Sequence, residues 1–120
     1  MSHILSRATV LVALTFCLTL LRLDGHAILR STVPASNDVV HGATVQVRLQ
    51  FSSRIDVKRS RLILLLPGGS ERVLVVDQPS PDTVRSQVAQ LVPGRYLLRW
   101  QVLAEDGHIT RGELPFRAQQ

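Results

Sequence analysis

Two residues near the end of the chain, Asp106 and His108, have side chains that could bind a metal ion. They occur in the segment EDGHITRG, residues 105–112, where Gly107 separates them. In an extended segment, side chains two positions apart point to the same side, so the carboxylate and the imidazole could reach one ion. Asp-Gly is also a favoured hairpin turn, and a histidine beside such a turn is usually only solvated. The pair by itself therefore leaves a metal site and an ordinary turn both open.

The start of the chain has the features of a secretory signal peptide. Arg7 precedes an uncharged apolar run, residues 8–21, which is shorter than the roughly 20 residues that a transmembrane helix needs. Small residues follow at Gly25 and Ala27, as signal cleavage requires. We therefore predict export and removal of this segment.

The cleavage point decides which residue begins the exported chain. We predict a signal peptide over residues 1–25 and one domain over residues 26–120. Cleavage after Gly25 would make His26 the first residue. Cleavage after Ala27 fits the sequence preference somewhat better and would discard His26. Both sites stay open on sequence rules alone.

A histidine at the start of the exported chain is a chelating group. Its α-amino nitrogen and its ring Nδ1 can bind the same ion. The reference pKa values are about 7.7–8.0 for an α-amino group and about 6.5 for histidine, so a metal ion can readily displace both protons at neutral pH. Together with Asp106 and His108, His26 would supply three nitrogens and one oxygen, which suit tetragonal Cu(II). The only Cys and the only Met, Cys17 and Met1, precede the predicted domain. The exported chain therefore has no sulfur ligand for an iron–sulfur, thiolate-zinc or blue-copper site.

The remainder of the chain has the hydrophobic pattern of short β-strands. Residues 44–51 alternate apolar and polar side chains, which is typical of a half-buried strand. Further strands are predicted from apolar or alternating runs between Gly- and Pro-containing turns, at residues 61–66, 71–76, 83–89, 95–103 and 109–117. Pro115 favours an edge position for the last of these. Six or seven strands at this spacing, without helical periodicity, predict an all-β fold, either a β-sandwich or a small Greek-key barrel.

Charged residues restrict the partners of the predicted domain. From residue 26 onward the chain carries 12 Lys and Arg against 8 Asp and Glu, an excess that favours an anionic surface. Export argues against a nucleic-acid partner. One cluster of basic residues indicates either a solvated loop and strand start or a docking patch for a membrane or an acidic partner. It consists of Arg54, Lys58, Arg59 and Arg61. His41 is interpreted as a solvated turn residue, and nothing predicts the oligomeric state.

Three segments resemble the CopC-type periplasmic copper-resistance proteins. They are HAILRSTVPAS at the start of the predicted domain, VQVRLQFS in the following strand, and LVPGRYLLRWQVLAEDGHITRGELPF near the end. The resemblance implies a seven-stranded Greek-key β-sandwich of the Ig-like or cupredoxin-like kind that binds one Cu(II) ion. It implies His26, through its amine and ring, Asp106 and His108 as the ligands. It also implies a carrier or scavenger role in copper resistance or homeostasis, with a CopD-type inner-membrane copper protein as partner.

Two departures from the family pattern bear on the site. Many relatives have Phe-Ser-Glu where this chain has Phe51, Ser52 and Ser53, so a supporting carboxylate is missing. Some relatives hold Cu(I) in a Met-rich loop, and the predicted domain has no Met, so we expect a single Cu(II) site and no Cu(I) site. Two alternatives to a non-enzymatic copper carrier remain: a histidine-brace copper mono-oxygenase, and a non-metal β-sandwich interaction module if cleavage follows Ala27.

Overall fold

The structure is a computed structural model, and it describes residues 27–120. The predicted signal peptide and His26 lie outside these residues. The described part of the chain contains β-strands and turns, and no helix in it could span a membrane. Its strands are β1 (Leu29–Val33), β2 (Val39–His41), β3 (Val45–Phe51), β4 (Ile55–Leu65), β5 (Glu71–Val73), β6 (Asp77–Ser80), β7 (Thr83–Val88), β8 (Gly94–Ala104) and β9 (Ile109–Gln119).

The strands form two sheets that pack as a β-sandwich. One sheet has the order β1-β3-β7-β6, and the other has the order β2-β9-β8-β4-β5. All neighbouring strands are antiparallel except β2 and β9, which are parallel. The prediction of an all-β sandwich is confirmed. Residues 27–120 contain nine strands rather than seven: six longer strands and three short ones of three or four residues, β2, β5 and β6.

The strands with the clearest alternation begin and end close to where the sequence predicts them. β3 alternates buried and solvent-facing residues as expected. β4 begins at Ile55, six residues before the predicted start. Its pairing register with β8 shifts between Asp56 and Arg61, and the strand continues through this irregularity. The Ser60 hydroxyl bridges this irregularity: it donates to the Asp56 carbonyl at 2.7 Å and accepts the Leu103 N–H at 2.9 Å. This bridge ties the start of β4 to the end of β8.

Pro115 does not mark an edge strand, because β9 lies between β8 and β2. β9 pairs with β8 along its length but with β2 only from Arg117 onward. At Pro115 the β2 side of the strand is therefore not part of a ladder. The Pro115 carbonyl there accepts the N–H of Asn37 at 2.7 Å. A proline is tolerated because no neighbouring strand needs its missing N–H.

The core is formed by the inward-facing residues of both sheets. Phe51, Leu64 and Leu98 are fully buried, and burial of such side chains contributes about 1.5–3 kcal/mol each. Tyr96 stacks on Phe116 with ring centroids 5.3 Å apart. The Tyr96 hydroxyl donates to the Val92 carbonyl at 2.8 Å and accepts the Val92 N–H at 2.9 Å. This closure of the turn before β8 resembles the tyrosine corner of immunoglobulin-like sandwiches.

Trp100 and Gly112 face each other across β8 and β9. The indole is 8% exposed and lies so close to Gly112 that a Cβ atom there would stand 2.0 Å from Trp100 Cζ2. Among the described residues, the Trp100 Nε1 atom has no hydrogen-bond partner. The position of the indole therefore depends on the absence of a side chain at residue 112.

Asp82 holds the end of β3 against the turn between β6 and β7. Its Oδ1 atom accepts hydrogen bonds from the Ser80 hydroxyl at 2.9 Å and the Thr83 hydroxyl at 2.8 Å, and its Oδ2 atom accepts one from Gln50 Nε2 at 3.4 Å. Its carbonyl accepts the Phe51 N–H at 2.9 Å. The hydrogen bonds from Thr83, Ser80 and Gln50 lower the pKa of the Asp82 carboxyl below its usual value of 3.8.

Replacing Gly112 with Ala should destabilise the fold, because the new methyl group overlaps the indole of Trp100. Overpacking of this kind costs about 1–3 kcal/mol in the free energy of unfolding. Gly68→Ala is the matched control, since a Cβ at residue 68 has no atom within 4 Å. Measured by urea unfolding, the unfolding free energy of the control should lie within about 0.5 kcal/mol of the wild-type value. Equal loss in both variants would show that the indole does not set the requirement at residue 112.

Asp82→Asn should lower stability at neutral pH, because the ionised carboxylate accepts three side-chain hydrogen bonds in the folded state. Since the pKa is depressed on folding, this contribution is present above the unfolded value of 3.8 and is lost as pH falls through the lower folded value. The difference in unfolding free energy between wild type and variant should therefore shrink below pH 3.8. Urea unfolding at stepped pH measures it, and a difference that is independent of pH would contradict this role of the carboxylate.

Candidate metal centre

The loop between β8 and β9 carries two of the three candidate ligands. It is a tight connection: the Gly107 N–H donates to the Ala104 carbonyl at 3.0 Å, and the Ala104 N–H donates to the His108 carbonyl at 2.8 Å. Gly107 has a φ of 88°, in the left-handed region that favours glycine. The loop is therefore a hairpin connection in which a glycine between the two candidate ligands allows the chain to reverse.

Asp106 and His108 are in direct contact. Asp106 Oδ1 accepts the backbone N–H of His108 at 3.0 Å, and Asp106 Oδ2 lies 3.0 Å from His108 Nδ1. The His108 side chain is 62% exposed and the Asp106 side chain 28% exposed. The carboxylate thus fixes both the turn and the orientation of an imidazole at the surface. The sequence left an extended pair of ligands and a turn both open; the structure has a turn here, and the turn brings the two side chains together.

The first described residue lies beside the start of β9. The Thr110 hydroxyl donates to the Ala27 carbonyl at 3.0 Å, and Ala27 is 3% exposed. Thr110 follows His108 by two positions, so this hydrogen bond ties the chain at residue 27 to the same corner of the sandwich. Sequence analysis did not single out Thr110, because a lone threonine in a strand has no distinguishing pattern.

The next residue along the chain is attached to the end of β3. The Ile28 N–H donates to the Ser52 hydroxyl at 2.8 Å, and the Ser52 N–H donates to the Ile28 carbonyl at 2.8 Å. Ser53, the next residue, has a buried hydroxyl with no hydrogen-bond partner within the described range. Segments 27–28, 51–55 and 104–110 therefore converge at one end of the sandwich.

Within residues 27–120, no three His, Cys, Asp or Glu side chains cluster closely enough to hold a metal ion. Asp106 and His108 supply two donors of the predicted set. The third candidate ligand, His26, lies outside the described residues. His41 is an exposed residue at the end of β2 rather than in a turn, and it pairs with Gln119 at the far end of β9.

The basic cluster from the sequence divides between two surface depressions. Arg54 and Arg59 line one of about 380 Å³ next to the β8–β9 loop, where the Arg54 carbonyl accepts the Glu105 N–H at 3.0 Å. Arg61 lines another, in the middle of the five-stranded sheet. Arg59 is 3.8 Å from Asp56, an exposed pair that contributes little. Arg54 and Arg59 therefore lie together, apart from Arg61.

Solved structures of copper-resistance proteins share this fold. CopC from Methylosinus trichosporium OB3b is 24% identical with a TM-score of 0.70, and the match covers 78% of this chain and 94% of that one. PcoC from Escherichia coli, described as a methionine-rich copper resistance protein, is 24% identical with a TM-score of 0.62, and the match covers 78% and 99%. At these identities the likeness establishes the fold alone.

The family assignment follows from the sequence comparison. No curated protein sequence matches the chain. A comparison with protein-family models matches residues 29–119 to the CopC domain, which is most of the chain and nearly all of the described part. The protein therefore belongs to the CopC domain family.

Proposed function

We propose that the exported protein binds one Cu(II) ion through the amine and ring of His26, the imidazole of His108 and the carboxylate of Asp106. The observation that carries this proposal is the hydrogen bond from Thr110 to the Ala27 carbonyl, at 3.0 Å. This bond holds Ala27 next to β9, and His26 directly precedes Ala27 in the chain, where consecutive Cα atoms are about 3.8 Å apart. Membership of the CopC domain family supports copper as the metal.

The donor set suits Cu(II) better than other ions. Neutral imidazole and amine nitrogens with one carboxylate favour tetragonal Cu(II), whereas Ca²⁺ and Mg²⁺ need more oxygen ligands. Beyond residue 25 the chain has no Cys or Met. The related PcoC is described as methionine-rich, and this chain differs from it in that respect. We therefore assign one Cu(II) site and no Cu(I) site.

Before the ion binds, Asp106 also orients His108. A carboxylate that accepts a hydrogen bond from one imidazole nitrogen fixes the tautomer and the orientation of the ring. The 3.0 Å contact between Asp106 Oδ2 and His108 Nδ1 has the geometry that this role requires. For both residues to bind one ion this contact must open, because a carboxylate hydrogen-bonded to Nδ1 lies on the far side of the ring from a metal at Nε2.

We assign a binding role rather than catalysis, as a periplasmic carrier or scavenger of copper that passes the ion to a CopD-type membrane protein. With His26, Asp106 and His108 all bound, the four usual positions of a tetragonal ion are filled, and an oxygen-activating enzyme needs one of them open. The small number of aromatic residues, 4% of the chain, also provides no broad stacking surface for a polymeric substrate.

Signal cleavage after Gly25 is part of the proposal. Ala27 is buried and its carbonyl accepts a hydrogen bond from Thr110, so cleavage after Ala27 would remove a core residue and leave the Thr110 hydroxyl without this partner. The intact mass of the protein recovered from the periplasm should correspond to residues 26–120. A mass that begins at Ile28 would eliminate His26 and, with it, the copper assignment.

His108→Ala should weaken Cu(II) binding by roughly a hundredfold or more, because residues that only support a metal ligand already contribute 10–100-fold. His41→Ala is the matched control. Its position opposite Gln119 is ten residues along β9 from Ile109, or about 33 Å. Titration of the exported protein against a competing chelator measures both affinities. Equal losses in the two variants would show that the site is misassigned.

A further inference from the structure

The outward face of the five-stranded sheet is basic. Its outward positions on β4, β5, β8 and β9 alternate with buried core residues. They carry five arginines against three acidic residues: Arg61, Arg95, Arg99, Arg111 and Arg117, with Asp56, Glu71 and Glu113. The positive excess on this face can attract anions.

Two of these arginines stand directly opposite each other. Arg95 on β8 and Arg117 on β9 are register partners. Both line a depression of about 280 Å³ together with Asn37, whose side chain carries an amide donor. Like charges directly opposite on neighbouring strands are destabilising. In the described part of the chain, no acidic group lies within 4.0 Å of either guanidinium.

Two other arginines that lie opposite a charged residue, Arg85 and Arg99, have anionic partners. Arg48 and Arg85 are also opposite each other, on β3 and β7, but Arg85 makes a two-point ion pair with Asp77. The hydrogen bond and charge of Asp77 raise the pKa of Arg85. Arg99 lies 3.1 Å from Glu113. The pair at residues 95 and 117 thus differs from these by its uncompensated charge.

We propose that Arg95 and Arg117, with Asn37, form a binding site for a phosphate-type oxyanion. Guanidinium groups bind phosphate oxygens through paired, charge-assisted hydrogen bonds, and two of them side by side match a dianion or a phosphodiester. A bound oxyanion would offset the repulsion between the two side chains. The same chemistry is available from free phosphate and from an anionic phospholipid headgroup. This site lies at the opposite end of β8 and β9 from Asp106 and His108, so it does not depend on the copper proposal.

The test is the double variant Arg95→Gln with Arg117→Gln, matched by Arg30→Gln with Arg48→Gln. Both doubles remove two positive charges, but Arg30 and Arg48 are exposed residues of the four-stranded sheet. Inorganic phosphate is titrated by calorimetry at constant ionic strength. The first double should bind it about tenfold more weakly than wild type, and the control within about twofold, since hydrogen bonds to charged groups contribute at least that much.

Sedimentation with vesicles separates the two sources of the anion. If the headgroup is the ligand, wild type and the control should sediment with phosphatidylcholine vesicles that contain phosphatidylglycerol, and the first double should not. Binding of inorganic phosphate without vesicle binding would assign free phosphate. Absence of both, or equal losses in the two doubles, would overturn the site. Urea unfolding without phosphate should show the first double to be at least as stable as wild type, which excludes misfolding as the cause of any loss.

Discussion

The pairing of β8 with β9 is the interaction on which the other features depend. These strands run antiparallel in continuous register from Gly94 opposite Ala118 to Leu103 opposite Ile109. That register determines which residues form the closing loop, and it places Trp100 against Gly112 in the core. A slip of one residue would turn every buried side chain of β9 to the solvent, so the core enforces the register strongly. The hairpin therefore transmits the constraint of core packing to a surface loop that carries Asp106 and His108.

The two ends of this hairpin have different chemistry. At the closed end, a carboxylate and an imidazole are held 3.0 Å apart, and Thr110 holds the described start of the chain beside them. At the open end, Arg95 and Arg117 concentrate positive charge on the outward face. Both arrangements rest on strands whose inward side chains are buried, which makes them rigid supports for exposed polar groups. Binding residues on the ends of a rigid scaffold are positioned at low entropic cost.

Comparison with relatives separates what the fold imposes from what this chain varies. The sandwich is shared with CopC and PcoC at 24% identity, because many hydrophobic sequences of suitable volume can fill the same core. At the candidate centre, Ser53 has a buried hydroxyl with no hydrogen-bond partner within residues 27–120. With no Met after residue 25, soft-metal binding is absent from the proposed chemistry.

The sequence by itself determined the all-β class and the clearest strands, since alternation is a local property of the chain. For Asp106 and His108 it left a turn and a metal site both open, and the structure shows their contact within the turn. Residues 44–51 and 95–103 became β3 and β8 almost unchanged. The sequence did not predict β6, the interior position of β9 in its sheet, or the link from Ala27 to Thr110. The last two join segments far apart in sequence, since β9 lies beside β2, and Ala27 and Thr110 are 83 residues apart. Only the tertiary structure decided them, because a hydrogen bond between distant segments forms when the packing of the two sheets brings its donor and acceptor together.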